Sequence, residues 1–229
     1  MKKILFLLPL IIFAGCKISQ KIVYRTDDIK TPETIKTYPI YVNIRLLDDK
    51  RALQQDNNVL FTEAQQTKLN GEKSCINSEK YYRTDSVPMQ ITRMLAEHFN
   101  KARLFYYTTC NKSGFNGYYL TGTINRYYGE QKFSTGAAVG AQFGLIGAIA
   151  TSGIKTPGKI IIEISDLKLF NKDGEIIKDF GTFYKDYNED ISADAYCWCI
   201  YRNINEKLKD FNAHLAEKIR SDLSEMNFN

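Results

Sequence analysis

The segment YPIYVNIRLLDD (38–49) sets Ile40, Val42, Ile44 and Leu46 on one side and Tyr41, Asn43 and Arg45 on the other. A period of two predicts a strand with one face buried. From Ser86 the period changes. Val87, Ile91, Met94, Leu95 and Phe99 recur at helical spacing, Ser86 stands where an N-cap belongs and Pro88 falls in the first turn. This predicts an amphipathic helix to about Ala102. LFYYTT (104–109) reads as a short strand, and GYYLTGTINRYY (117–128) as a longer one with Tyr118, Leu120, Gly122 and Ile124 on one side. In GKIIIEISDLKLF (158–170) the apolar phase shifts between Ile164 and Leu167, which predicts a β-bulge near Ser165–Asp166. NKDG (171–174) is a hairpin turn, and EIIKDFGTFYKDY (175–187) is the returning strand. Beyond Ser192, read as a cap, the residues Ile204, Leu208, Phe211, Leu215, Ile219 and Leu223 form one stripe. A helix of about thirty residues with a single stripe lies across a sheet.

Between these elements the pattern fades. Residues 50–82 are polar, with a weak helical hint near 62–70, and read as a long loop. Lys17 to Pro39 has no clear period and reads as a tether, with room for a short strand at Lys21–Tyr24. The order is strand, helix, four strands, helix. That is an α+β chain: a two-layer sandwich with a mixed or antiparallel sheet of four or five strands and two helices packed on one face.

The N-terminus, MKKILFLLPLIIFAGC, changes the picture from fold to address. Lys2 and Lys3 precede an apolar run from Ile4 to Phe13, closed by Ala14-Gly15-Cys16. The run is too short to span a bilayer and has the anatomy of a secretory signal. Its ending resembles the lipobox of bacterial lipoproteins, with Phe13 where Leu is usual. The resemblance implies that Cys16 is lipidated, and several acyl chains make a stable anchor. Lys17 after the cysteine, where Asp would imply inner-membrane retention, implies the outer membrane, on its periplasmic face. The chain then divides into a signal peptide (1–15), a tether (16–39) and one domain (40–229).

Charge and reactive residues narrow the function classes. Net charge is +5, and removing the two leader lysines leaves 29 basic against 26 acidic side chains. That balance, with no basic stripe among the aromatics, argues against nucleic acid. His98 and His214 are the only histidines and read as partly exposed helix residues. Asp48-Asp49 and Glu189-Asp190 read as acids at element ends, and no nucleophile or metalloprotease motif occurs. The expectation is therefore a non-catalytic protein without a metal or a cofactor, apart from the lipid on Cys16. In an oxidising compartment Cys75, Cys110, Cys197 and Cys199 are candidates for disulfides. Cys197 and Cys199 lie two apart on a predicted helix and point to different sides. Either Cys75 and Cys110 each bond to one of them, or Cys75 bonds to Cys110.

STGAAVGAQFGLIGAIATSG (134–153) is the least ordinary stretch. Its glycines recur at 136, 140, 144 and 147, and Lys155 comes too late for a phosphate loop. The apolar run is also too short for a membrane span. It reads as an inserted element between two strands, either packed on the protein's own surface or exposed for contact. Gly136, Gly140, Phe143, Gly144, Leu145 and Gly147 are the candidate contact residues.

Taken in order, the first strand, the helix ending in ITRMLAEHFNKARLFYY, the strand GYYLTGTINRYY, the hairpin around LFNKDGEII and the last helix resemble a known plan. The chain is similar to small envelope lipoproteins whose domain resembles the curli-secretion lipoprotein CsgG, the penicillin-binding-protein activator LpoB and the N-terminal domain of TolB. In that group a strand reads roughly Y-x-L-x-G-x-I, here Tyr118, Leu120, Gly122 and Ile124. The resemblance implies an accessory or binding component of an envelope assembly or transport system, with an envelope partner or self-association. The alternative it implies is a homo-oligomeric secretion or pore component with 134–153 as the membrane-contacting element.

Overall fold

The computed structural model describes residues 26–29, 36–51, 65–69, 72–76, 86–144, 147, 153–193, 199–226 and 228. Among these, the elements are β1 (Tyr38–Ile44), β2 (Asp48–Asp49), β3 (Gln65–Leu69), β4 (Glu72–Ile76), α1 (Val87–Lys101), β5 (Phe105–Cys110), β6 (Tyr118–Lys132), α2 (Thr135–Gln142), β7 (Lys155–Phe170), β8 (Ile176–Ser192) and α3 (Cys199–Asp222). The chain is α+β, with one mixed sheet of eight strands among the described residues.

That sheet is larger than the four or five strands expected. The polar segment read as a loop with a helical hint contains the antiparallel hairpin β3–β4, paired from Gln65↔Ile76 to Leu69↔Glu72. QQTKL and EKSCI carry no apolar alternation, so only backbone pairing at a distant site reveals them as strands. That site is the far end of β6, where Ser74, Cys75 and Ile76 pair with Lys132, Gln131 and Glu130.

β6 is the axis of the sheet. Along one edge it takes β1 in parallel, from Val42↔Tyr118 to Ile44↔Leu120, then β2 and finally β4. Along the other it pairs with β7 antiparallel, and β7 returns as β8. The NKDG turn closes that hairpin as predicted. Asn171 Oδ1 accepts from the Asp173 and Glu175 amides (3.0 and 2.9 Å), and Gly174 adopts φ 86°. The bulge predicted at Ser165–Asp166 is present, with a register shift between Ile164 and Leu167 and Asp166 at φ 53°.

β5 lies parallel to β1 on its outer side, a geometry that requires a crossover, and α1 precedes β5 within it. Asn100 of α1 blunts this edge. Its side chain accepts from the Thr108 amide at 2.7 Å and donates to the Thr108 carbonyl at 2.8 Å, taking the place of a neighbouring strand.

One buried cluster joins α1, α3, β1, β6 and β7. Tyr38, Ile40, Val42 and Ile44 enter it, whereas Tyr41 stays exposed. The alternation stops one step earlier than expected: β1 ends at Ile44, and Leu47 is buried while Leu46 is exposed. The α1 stripe is buried throughout, but Ser86 makes no side-chain cap and its carbonyl alone receives the Gln90 amide. The whole α3 stripe, Ile204 to Leu223, is buried. The helix is described from Cys199 to Asp222, and Ser192 is the last residue of β8 and not a cap. The Ser192 carbonyl receives the side-chain amides of Gln131 (2.7 Å) and Asn203 (2.9 Å), which ties the strand end to β6 and α3.

Gly129 allows a close approach of sheet and helix. A register shift between Ile124 and Arg126 re-phases β6, and a Cβ on Gly129 would lie 2.5 Å from Ile204 Cδ1. Part of the expected tether is also bound to the domain. Asp28 pairs with Lys209 of α3 at 2.7 Å, and Lys36 Nζ donates to the Ser224 carbonyl at 3.2 Å.

Candidate functional site

The glycine-rich segment leaves β6 at Lys132 and returns as β7. Ser134 starts α2 by accepting the Ala137 amide on its hydroxyl (3.1 Å), the cap that local sequence allows. Ala137 is buried against the domain, while Val139 and Phe143, four residues apart, point outward with 48% and 72% of their surface exposed. The glycines then explain how the chain turns. Gly144 adopts φ 65°, and a Cβ on Gly147 would overlap the Gly140 carbonyl oxygen, so only glycine lets the two passes meet. Gly140 and Gly147 are buried, Gly136 and Gly144 are exposed, and Leu145 lies outside the described residues. The segment thus packs closely through Gly140 and Gly147 and presents Phe143 to its surroundings.

A second exposed apolar surface lies at the opposite end of β6. Tyr41, Tyr106 and Tyr107 are each more than half exposed. The rings of Tyr41 and Tyr106 are 5.1 Å apart, and Tyr107 stands opposite Tyr41 in the β1–β5 register. On the same side of the sheet the Arg45 guanidinium lies 3.5 Å from the centre of the Tyr119 ring, which stacks on Phe170 at 4.8 Å. Asn43, between these groups, is buried and holds the loop after β5, accepting the Lys112 amide (3.0 Å) and donating to the Lys112 carbonyl (3.1 Å). The alternation of β1 placed Tyr41 outward. The pair Tyr106-Tyr107 was not singled out, since neighbouring tyrosines of a strand should face opposite ways. The 15 residues of β6 separate the two surfaces by about 45 Å at the usual strand rise.

The titratable groups are distributed differently from expectation. His98 is not partly exposed: it is 2% accessible, on the buried side of α1. Burial, with the Lys209 charge adding to it, lowers its pKa to about 4, so the ring is neutral near pH 7. Helical spacing places His98 next to Phe99 and Leu95, but its burial is decided by tertiary packing, with Lys209 of α3 near enough to act on its charge. His214 is exposed as expected, with Nδ1 2.9 Å from the Asp210 carbonyl and 3.4 Å from its carboxylate. The same carboxylate receives the Tyr187 hydroxyl at 2.8 Å. Burial first, then Asp210, raises the Tyr187 pKa far above its usual value, so this phenol stays protonated.

Of the acidic pairs, Asp48-Asp49 forms β2, and Arg51 holds Asp49 through two 2.8 Å hydrogen bonds. Burial opposes the charge on Asp49, but Arg51 outweighs it and keeps the carboxyl below its ordinary range. Glu189-Asp190 does not mark an element end. Both residues lie within β8, and Glu189 pairs with Lys207 of α3. Asp49 and Glu189 are thus each held by a structural cation.

Cys75 is buried on β4 and disulfide-bonded, whereas Cys110 and Cys199 carry thiols. Neither expected scheme is therefore formed: Cys110 is bonded neither to Cys75 nor to the Cys197–Cys199 pair. Cys199 opens α3 and accepts a contact from Arg202 at 3.2 Å. Cys16 and Cys197 lie outside the described residues. Among the described residues no group of three or more His, Cys, Asp or Glu side chains gathers as a metal site. Among them, too, no helix is long and apolar enough to cross a membrane.

No protein-family model matches the chain, and no curated protein matches it. A solved structure similar to it is protein XCC0632 of Xanthomonas campestris, of the family DUF330. The TM-score is 0.46 at 9% identity, over 85% of this chain and 97% of that one. So distant a likeness carries no functional conclusion.

Proposed function

We propose that the protein is an outer-membrane lipoprotein, anchored through Cys16 on the periplasmic face, that serves as a non-catalytic binding component of an envelope assembly or transport system. The observation that carries this reading is the exposure of Val139 and Phe143 on a segment that packs closely through Gly140 and Gly147. A large aromatic side chain held 72% exposed just beyond the end of α2 costs hydration unless a partner covers it. The leader and the resemblance to the CsgG, LpoB and TolB group supply the compartment and the class. In that reading the α+β domain is a two-layer sandwich with α1 and α3 on its covered face. The nine residues between Cys16 and Thr26 reach about 30 Å when extended, which keeps the domain near the bilayer.

The alternative is a homo-oligomeric secretion or pore component in which 134–153 touches the membrane, and the apolar exposure of the same segment favours it. Crosslinking and pull-down of the lipidated chain, compared with a Δ136–150 deletion and with Phe143→Asp, tests both. Loss of an envelope partner in the variants supports the binding reading. A large detergent-stable ring that dissociates in the variants supports the pore. Unchanged partners and unchanged size in both variants would refute both.

A further inference from the structure

β8 is the outermost strand beyond β7, and among the described residues it pairs with β7 alone. Its first half is unsuited to a new neighbour: the register shifts between Leu167 and Lys168, and Gly181 turns to φ 69° with its amide on the Asp179 carboxylate. Its second half is regular. From Phe183 to Ser192 every residue keeps an unbroken register with β7, from Ile164 back to Lys155. Among the described residues this leaves a regular run of backbone whose outer side pairs with no strand, unlike β5, whose edge Asn100 covers; only at its end do the Ile191 and Ser192 carbonyls receive the side chains of Gln131 and Asn203.

The charges along this run select an occupant. In an antiparallel pair related by a two-fold axis normal to the sheet, residues equidistant from the axis stand opposite each other on one face. Centring the axis on Lys185, Asp186, Glu189 or Asp190 sets that charge against itself, and centring it on Asn188 sets Asp186 against Asp190. Centring it on Tyr187 opposes no like charges. Lys185 then meets Glu189 on both sides of the axis, Phe183 meets Ile191, Asp186 meets Asn188 and Tyr184 meets Asp190. Side chains already fixed within one copy fit this arrangement. Phe183 packs on Phe211 at 4.9 Å and Tyr187 donates to Asp210, so both keep to the α3 side. Glu189 pairs with Lys207, and a second lysine can share its other oxygen.

We propose that residues 183–191 of β8 pair antiparallel with the same residues of a second copy, about a two-fold axis at Tyr187, joining the two sheets edge to edge. The surface is distinct from 134–153, so deleting 136–150 leaves it intact and the two readings fail separately. The test is sedimentation of the full chain in mild detergent across a concentration series. The wild type should pass from monomer to dimer. Lys185→Glu, which opposes Glu189 twice, should weaken the dimer about tenfold, and Lys185→Glu with Glu189→Lys should restore it. Tyr184→Lys, facing Asp190, should tighten it, a gain that misfolding cannot imitate. A wild type that stays monomeric throughout, as it would if the edge served a peptide of another protein, overturns the proposal. So does a dimer unmoved by both Lys185→Glu and Tyr184→Lys.

Discussion

His98 offers a quantitative test of the packing between α1 and α3. In the folded chain its imidazole is neutral down to about pH 4, because burial and the nearby Lys209 oppose a second positive charge. Unfolded, it takes a proton near the ordinary value of 6.5. Between these values the unfolded state binds more protons, so stability is full above pH 6.5 and falls as pH drops toward 4. With 2% exposure, solvent screening reduces the effect little. The full difference is about 3.4 kcal/mol, and about 2 kcal/mol of it is lost by pH 5. Urea unfolding of the wild type and His98→Gln at pH 7.5 and pH 5.0 measures it, since other titrating groups cancel in the comparison. The wild type should lose about 2 kcal/mol more than the variant over that interval. Equal losses, or an imidazole titrating near 6.5 in the folded protein by NMR, would show that this side of α1 is not sealed.

Two further perturbations probe single contacts. Gly129→Val places a side chain against Ile204, a buried residue with little room to move, and should destabilise by about 1–3 kcal/mol in urea unfolding without altering secondary structure. Asn100→Ala removes both hydrogen bonds to Thr108; hydrogen exchange of the Thr108 amide should speed up, and the loss should be about 1–3 kcal/mol.

Elements whose pattern is local were legible in the chain. The alternation of Ile40, Val42 and Ile44, the two helical stripes, the NKDG turn and the phase slip at Ser165–Asp166 each lie within a few residues. Their physical cause, one buried face at a fixed period, acts at that range. The glycine-rich segment stood out for the same reason, by its local composition.

What the tertiary structure decided is what depends on distant neighbours. QQTKL and EKSCI become strands because the end of β6 offers unpaired backbone, a cause no local period can record. β8 runs on to Ser192 for the same reason: β7 pairs with it through a polar stretch, DYNED, that carries no apolar signal of its own. His98 is neutral and buried through tertiary packing, although its position on the first helix was readable in advance. Phe143 was legible as an apolar residue, but its exposure depends on α2 packing on the domain through its Ala137 side. The periods of the chain determined which faces are apolar. The docking of those faces decided which of them water, or a partner, still reaches.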